Sequence, residues 1–155
     1  MNYWGRRGSG VLPFSQKTCR FMVSHRSPYV NEPNTFGVTG GKLEPFEDPK
    51  DAAIRELKEE TGYDGDIELI PSYTFKDLKR DFEYQNYIGI VDEEFDSNPD
   101  PVHAWETSEV KWINFDELVN LDNKHYGLKK LVEEKESELE NLCEIWGKKI
   151  AKKRS

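Results

Sequence analysis

The sequence predicts a single α/β domain. Three observations carry that expectation: short strand-like runs rich in Val, Ile and aromatic residues, one sharply bounded helix at residues 49–61, and an amphipathic stretch over about 124–152. No internal repeat or linker divides the 155 residues, so one domain spanning 1–155 is expected.

The composition narrows the function classes. A net charge of −8 and a pI near 5.0 argue against general affinity for nucleic-acid backbones or anionic membranes. The 19 aromatics, 8 Phe, 7 Tyr and 4 Trp, supply enough bulk for a packed core. Cys19 and Cys143 have no CxxC spacing and no histidine partner, so they read as free thiols of a reducing compartment with no assigned role. With no signal-like N-terminus and no apolar run of membrane-spanning length, a cytosolic protein is expected.

In chain order, GSGVLPFS and TCRFMVSHRS read as two strands around the polar turn SQK. SPYVNEPNT is a loop, and FGVTGGKLEPFEDP a glycine- and proline-punctuated loop with room for a short strand. The helix that follows has its ends written in the sequence: Asp48 as N-cap, Pro49 in the first position, Asp51 in the first turn, and Gly62 as the left-handed stop. DIELIPSYTFK, FEYQNYIGIVDE and EVKWINF are strands, the last with Val110, Trp112 and Asn114 on one face. In the closing helix Leu128, Leu131, Val132, Leu139, Leu142, Cys143, Trp146 and Ile150 recur at helical spacing. If the core does not use that whole stripe, the surplus would support a homodimer or a partner.

The first helix poses a chemical question. Glu56, Glu59 and Glu60 fall within an arc of about 100° near its C-terminal end, where the helix dipole disfavours anions. Like charges three or four positions apart add a penalty of roughly 0.2–0.5 kcal/mol per pair. A divalent cation removes both objections, because Mg²⁺ takes oxygen ligands and bridges carboxylates to phosphates. Ordinary surface pairing with Lys50, Arg55 and Lys58 is the competing explanation. Ile54 and Leu57 are expected to anchor the neighbouring side in a core.

The wider spacing decides between them. Gly41, five residues, Glu47, seven residues, Arg55-Glu56-Leu57, one residue, Glu59-Glu60, one residue, Gly62-Tyr63 resembles the signature box of the Nudix hydrolase family. Tyr63 is the one departure, standing where the family usually has Ile, Leu or Val. The box covers 23 of 155 residues. The resemblance implies an α/β/α sandwich with a mixed sheet, closed here by the long C-terminal helix. RSPYVNEPNTFGVTGGKLEP, VDEEF, WET and HYGL also look like a group of phage and bacterial Nudix proteins.

Carried over by position, the resemblance implies that Glu56, Glu59 and Glu60 ligate Mg²⁺ or Mn²⁺, with Glu47 as a further ligand or a water-mediated contact and the Gly41 carbonyl as a donor. Arg55 should hold a glutamate carboxylate. In this family the general base comes from the box or from a later loop, where Glu106 and Glu109 are the candidates, Glu106 ahead. Arg26, Lys42 and Arg7 are candidate phosphate contacts. Phe36, Tyr29, Tyr73 and Tyr84 are candidate stacking partners for a base. His125 is a candidate substrate contact whose ordinary role is structural. The activity implied is Mg²⁺-dependent hydrolysis of a pyrophosphate bond in a small nucleotide or nucleotide-sugar substrate. The rival is a binding module of the same fold that senses a nucleotide without cleaving it. GVTGGK fails as a P-loop because Leu43 holds the Ser/Thr position, and DEEFDSNPD fails as an EF-hand because Ser97 replaces its glycine.

Overall fold

The computed structural model describes residues 7–26, 34–99, 101–102, 104 and 107–154. Strand β1 (Arg7–Ser15) runs through the centre of the sheet, followed by β2 (Phe21–Arg26), β3 (Phe36–Gly37) and β4 (Thr39–Lys42). Helix α1 (Pro49–Thr61) leads to β5 (Glu68–Asp77), β6 (Phe82–Val91) and β7 (Thr107–Ile113), then α2 (Phe115–Val119) and α3 (Tyr126–Arg154).

The sheet is mixed, as the resemblance implied. Its order is β3-β2-β1-β6-β5, with β7 on β2 and β4 on β1. β1 and β6 are parallel over their whole length, and every other named pair is antiparallel. β4 lies along the N-terminal half of β1, Gly8 to Val11, whereas β2 meets β1 only at Phe14 opposite Phe21. The expected loop at residues 36–49 therefore holds two short strands, which fill the space where β1 and β2 diverge.

Period-two alternation buries both faces of the sheet. Val11, Met22 and Tyr87 pack with Ala53 and Leu57 of α1. Leu12, Phe14, Phe21, Val23, Ile88 and Ile90 point the other way and pack with Leu118 of α2 and Leu128, Leu131, Val132 and Leu139 of α3. The result is the α/β/α sandwich.

Helix α1 keeps its predicted ends: the Asp48 carboxylate accepts from Lys50 N, and Gly62, at φ 79°, donates its N–H to the Lys58 carbonyl. Its anchoring face differs from expectation. Ile54 is 42% exposed, while Ala52, Ala53 and Leu57 are buried. Small alanines let the helix lie close on β1 and β4, which turns the acidic face toward the sheet. Asn114 also departs from its predicted strand role. It caps α2 in a reciprocal capping box with Glu117, and Asn-x-x-Glu was the signal for that helix.

Helix α3 is interrupted at Lys135, whose backbone (φ −123°, ψ 18°) is not helical. The buried part of its stripe ends at Leu139, and Leu142, Cys143 and Trp146 are only partly covered. No helix among the described residues is long and apolar enough to cross a membrane.

Candidate active site

The site lies where α1 crosses β4. Three contacts tie the two together: Gly40 N donates to Glu60 Oε2 at 2.9 Å, Arg55 Nη2 donates to the Lys42 carbonyl at 3.1 Å, and the Glu56 carboxylate sits over Gly41. A Cβ built on Gly41 would come within 2.5 Å of Glu56 Oε1, so glycine is required for that approach. Ser9 of β1 holds the start of the helix, its hydroxyl donating to the Pro49 carbonyl at 2.8 Å.

Arg55 stands at the centre of the acids. Its Nε and Nη2 donate to Glu47 Oε2 and Oε1, each at 2.9 Å. Nη1 donates at 3.2 Å to Glu56 Oε1 and to both oxygens of Glu59. Glu44 lies further out, at 3.8 Å. The hydrogen bonds to Glu47, with the charges of Glu56 and the bond to Glu59, hold the guanidinium protonated far above its ordinary range, against the opposing effect of burial. Glu47 in turn is held below the usual carboxylate range, chiefly by its hydrogen bonds to Arg55.

The three box glutamates and Glu47 thus occupy distinct positions. Glu56 and Glu59 converge on one guanidinium nitrogen, Glu60 is bonded to β4, and both oxygens of Glu47 are engaged, Oε1 also accepting from Glu44 N at 2.9 Å. Among the described residues no three His, Cys, Asp or Glu side chains close on a common point as a finished metal cage. Arg55 lies between Glu47, Glu56 and Glu59 and offsets one of their three negative charges. The donor set still suits a hard divalent cation: carboxylate oxygens on one helix face beside a backbone carbonyl, with water able to complete the shell.

The remaining predicted residues are scattered. Lys42 ends β4 with an exposed side chain. Phe36 belongs to the core at 7% exposure, its ring 4.7 Å from that of His25 and 4.3 Å from Lys111 Nζ. That position offers a base no open face, because β3 places the ring beneath α3. His125 stands at the start of α3: its Nδ1 accepts from Gly127 N at 3.2 Å, and its backbone N–H donates to the Phe36 carbonyl. Glu109 is exposed on β7. Glu106, Tyr29 and the Arg26 side chain lie outside the described residues. Tyr84 lies on the face of the sheet opposite Glu56. It lies across Gly8, Gly10 and Gly40, where any Cβ would collide with its ring or hydroxyl, and it neighbours Phe82, with Phe75 and Tyr126 next in line.

The model of the NUDIX domain matches residues 5–135. This chain belongs to the NUDIX domain family. A putative 8-oxo-dGTP diphosphatase of Mycobacterium tuberculosis (strain CDC 1551 / Oshkosh) is 25% identical over 128 residues, 77% of this chain and 57% of that protein. A CMP-5'-(N-acetyl-N-hydroxy-3-aminopropyl)phosphonate hydrolase of Streptomyces rubellomurinus is 25% identical over 122 residues, 74% of this chain and 54% of that protein. The chain therefore spans little more than half the length of these relatives. Among solved structures, a Nudix hydrolase from M. Smegmatis superposes with a TM-score of 0.72 at 20% identity, covering 90% of this chain and 88% of that one. That likeness supports the fold. Tyr63, the departure from the box, fills its NUDIX position by stacking on Phe95 at 4.3 Å while its hydroxyl donates to the Asp66 carbonyl.

Proposed function

We propose that this NUDIX chain hydrolyses a pyrophosphate bond in a nucleoside diphosphate linked to a further moiety X, with water as nucleophile and Mg²⁺, or Mn²⁺ in its place, as cofactor. The observation that carries the reading is the convergence of Glu56 and Glu59 on Arg55 Nη1, beside the side-chain-free Gly41. A structural surface helix has no use for clustered, half-buried like charges at its C-terminal end. The relatives named above, one for 8-oxo-dGTP and one for a CMP-linked phosphonate, support a nucleotide as the substrate class.

Glu56, Glu59 and Glu60, with the Gly41 carbonyl, would hold the cation. When bound, it supplies charge neutralisation on the phosphate oxygens and acidifies a coordinated water. The protein supplies placement. Arg55 and Glu47 lock together and fix the orientation of the helix face, and the Glu60 bond to Gly40 fixes the distance between helix and strand. Lys42 and Arg26 would contact the phosphates. A water oxygen bonds to phosphorus as the bridging oxygen leaves, and its proton passes to a general base, for which Glu106 and Glu109 are the candidates.

The test is phosphate release, coupled to a phosphatase, across a nucleotide panel with Mg²⁺, comparing wild type with Glu59→Gln. Turnover that disappears in the variant supports the hydrolase and identifies its substrate. No turnover on any nucleotide, with tight binding retained, would instead establish a nucleotide sensor.

A further inference from the structure

Beyond the interruption at Lys135, α3 packs on the rest of the protein through one side only. Leu139 is buried and Leu142, Cys143, Trp146 and Ile150 are half-buried, whereas Ile145 is 53% exposed. At 100° per residue, Glu138, Asn141, Lys149 and Lys152 share the side of Ile145 within an arc of about 80°, and all four are exposed. Charge is segregated along this half of the helix. Between Lys135 and Ile145 the chain carries Glu136, Glu138, Glu140 and Glu144 and no cation; after Ile145 it carries Lys148, Lys149, Lys152, Lys153 and Arg154 and no acid. The helix dipole favours that order of charges, but it gives no reason for an exposed isoleucine at the midpoint.

This face is its own complement. Glu138 and Lys152 each stand seven residues from Ile145, and Asn141 and Lys149 each stand four. A two-fold axis through Ile145 lays a second copy antiparallel, so that Glu138 meets Lys152 of the second copy at both ends, Asn141 meets Lys149, and the two isoleucines cover each other. A partner of unrelated sequence would have to match only one order of charges, whereas mirrored spacing about a central apolar residue is what self-association requires. The charged groups also have contacts within the single chain: Glu138 lies 3.4 Å from Lys135, Lys149 Nζ lies 4.2 Å over the Trp146 ring, and Lys152 has contacts of its own. Exposed pairs of this kind are weak, so they exchange readily for pairs between copies.

We propose that the outer face of α3 centred on Ile145 is a homodimer interface, occupied by the same face of a second copy running antiparallel. Because α3 and α1 cover opposite faces of the sheet, such a dimer leaves the acidic cluster open, and the inference stands apart from the hydrolase reading. The apolar patch is small, so the expected Kd is about micromolar or weaker.

Sedimentation equilibrium of the full chain at low salt tests the interface. Wild type should pass from monomer to dimer as concentration rises to about 500 µM, and its Kd should rise with added NaCl, because exposed charges are screened. Glu138→Lys and Lys152→Glu should each weaken the dimer about tenfold, since either one sets like charges against each other at both ends. The double variant Glu138→Lys/Lys152→Glu should recover Kd to within about threefold of wild type, which a parallel pairing would not give. Ile145→Glu should abolish association and leave Tm unchanged, because the side chain is exposed and the core does not depend on it. A wild type that stays monomeric at every concentration overturns the proposal and leaves the face to solvent or to a different protein. A double variant no tighter than the single ones, or an Ile145→Glu chain that dimerises like wild type, overturns it as well.

Discussion

Arg55 and Glu47 are joined by two parallel hydrogen bonds, Nε to Oε2 and Nη2 to Oε1, each 2.9 Å long, across eight residues of chain. The pairing links the loop after β4 to the second turn of α1, and the third guanidinium nitrogen, Nη1, is left to face Glu56 and Glu59. A lysine keeps the charge but loses the fork. Arg55→Lys is therefore expected to lower activity by about 10- to 100-fold, the usual effect of losing a group that orients metal ligands. Thermal unfolding should show a loss of about 1–3 kcal/mol. Wild-type activity in Arg55→Lys would show that charge alone suffices.

The same pair predicts an acid-side loss of stability. Arg55 holds the Glu47 pKa below its ordinary value of 4.5 in the folded chain. A depressed folded pKa means that the contribution is fully present above the unfolded value and is lost as pH falls through the folded one. Denaturant unfolding followed from pH 6 downward should show stability declining below about 4.5. In Glu47→Gln that portion of the slope should be missing, because the amide does not titrate.

Phe36 is expected to behave as core. Truncating a buried phenylalanine costs about 3–5 kcal/mol, which corresponds to roughly 10 °C in Tm for a chain of this size. Phe36→Leu, milder in volume, should lower Tm while leaving KM near wild type. A large rise in KM without loss of Tm would return Phe36 to the substrate site.

The comparison of Ile54 with Ala53 explains what the sequence made legible and what it hid. Helix ends are local, set by Asp48, Pro49 and Gly62 within a few residues, and they were readable. The box glutamates were readable because their spacing is fixed along one helix. Which helix face meets the sheet is set by close approach to β4, where glycines and alanines leave no apolar signal, so Ile54 misled. The parallel pairing of β1 with β6 joins residues more than 70 positions apart and leaves no local trace. Arg55 was assigned a carboxylate partner, but that it faces Glu47, Glu56 and Glu59 together needed coordinates.

Cys143 should be a slow thiol. Burial, with smaller effects from Cys19, Glu140 and Asp116, pushes its pKa up to about 11, so thiolate is scarce near neutrality. Alkylation by iodoacetamide at pH 8, followed by mass spectrometry, should label denatured protein far faster than native protein at this position. The raised pKa also means that its contribution to stability is full below the ordinary value of 9.0 and falls as pH rises from there toward about 11.

Gly40 and Gly41 are adjacent, yet alanine at each should fail differently. At Gly40 a Cβ would come within 2.6 Å of Gly10 Cα and also strike the Ser9 carbonyl, so the backbones of β4 and β1 would have to part. Backbone of a central strand yields at high cost, and Gly40→Ala should lower Tm strongly and reduce soluble yield. At Gly41 the obstacle is the Glu56 carboxylate, the far end of a side chain that can swing aside. Gly41→Ala should keep most of its stability and lose activity, because the displaced carboxylate is one of those expected to hold the cation. Mn²⁺ titration followed by electron paramagnetic resonance separates the two directly: weakened binding at near-native Tm is expected for Gly41→Ala. Unchanged Mn²⁺ affinity in that variant would remove Glu56 from the metal site.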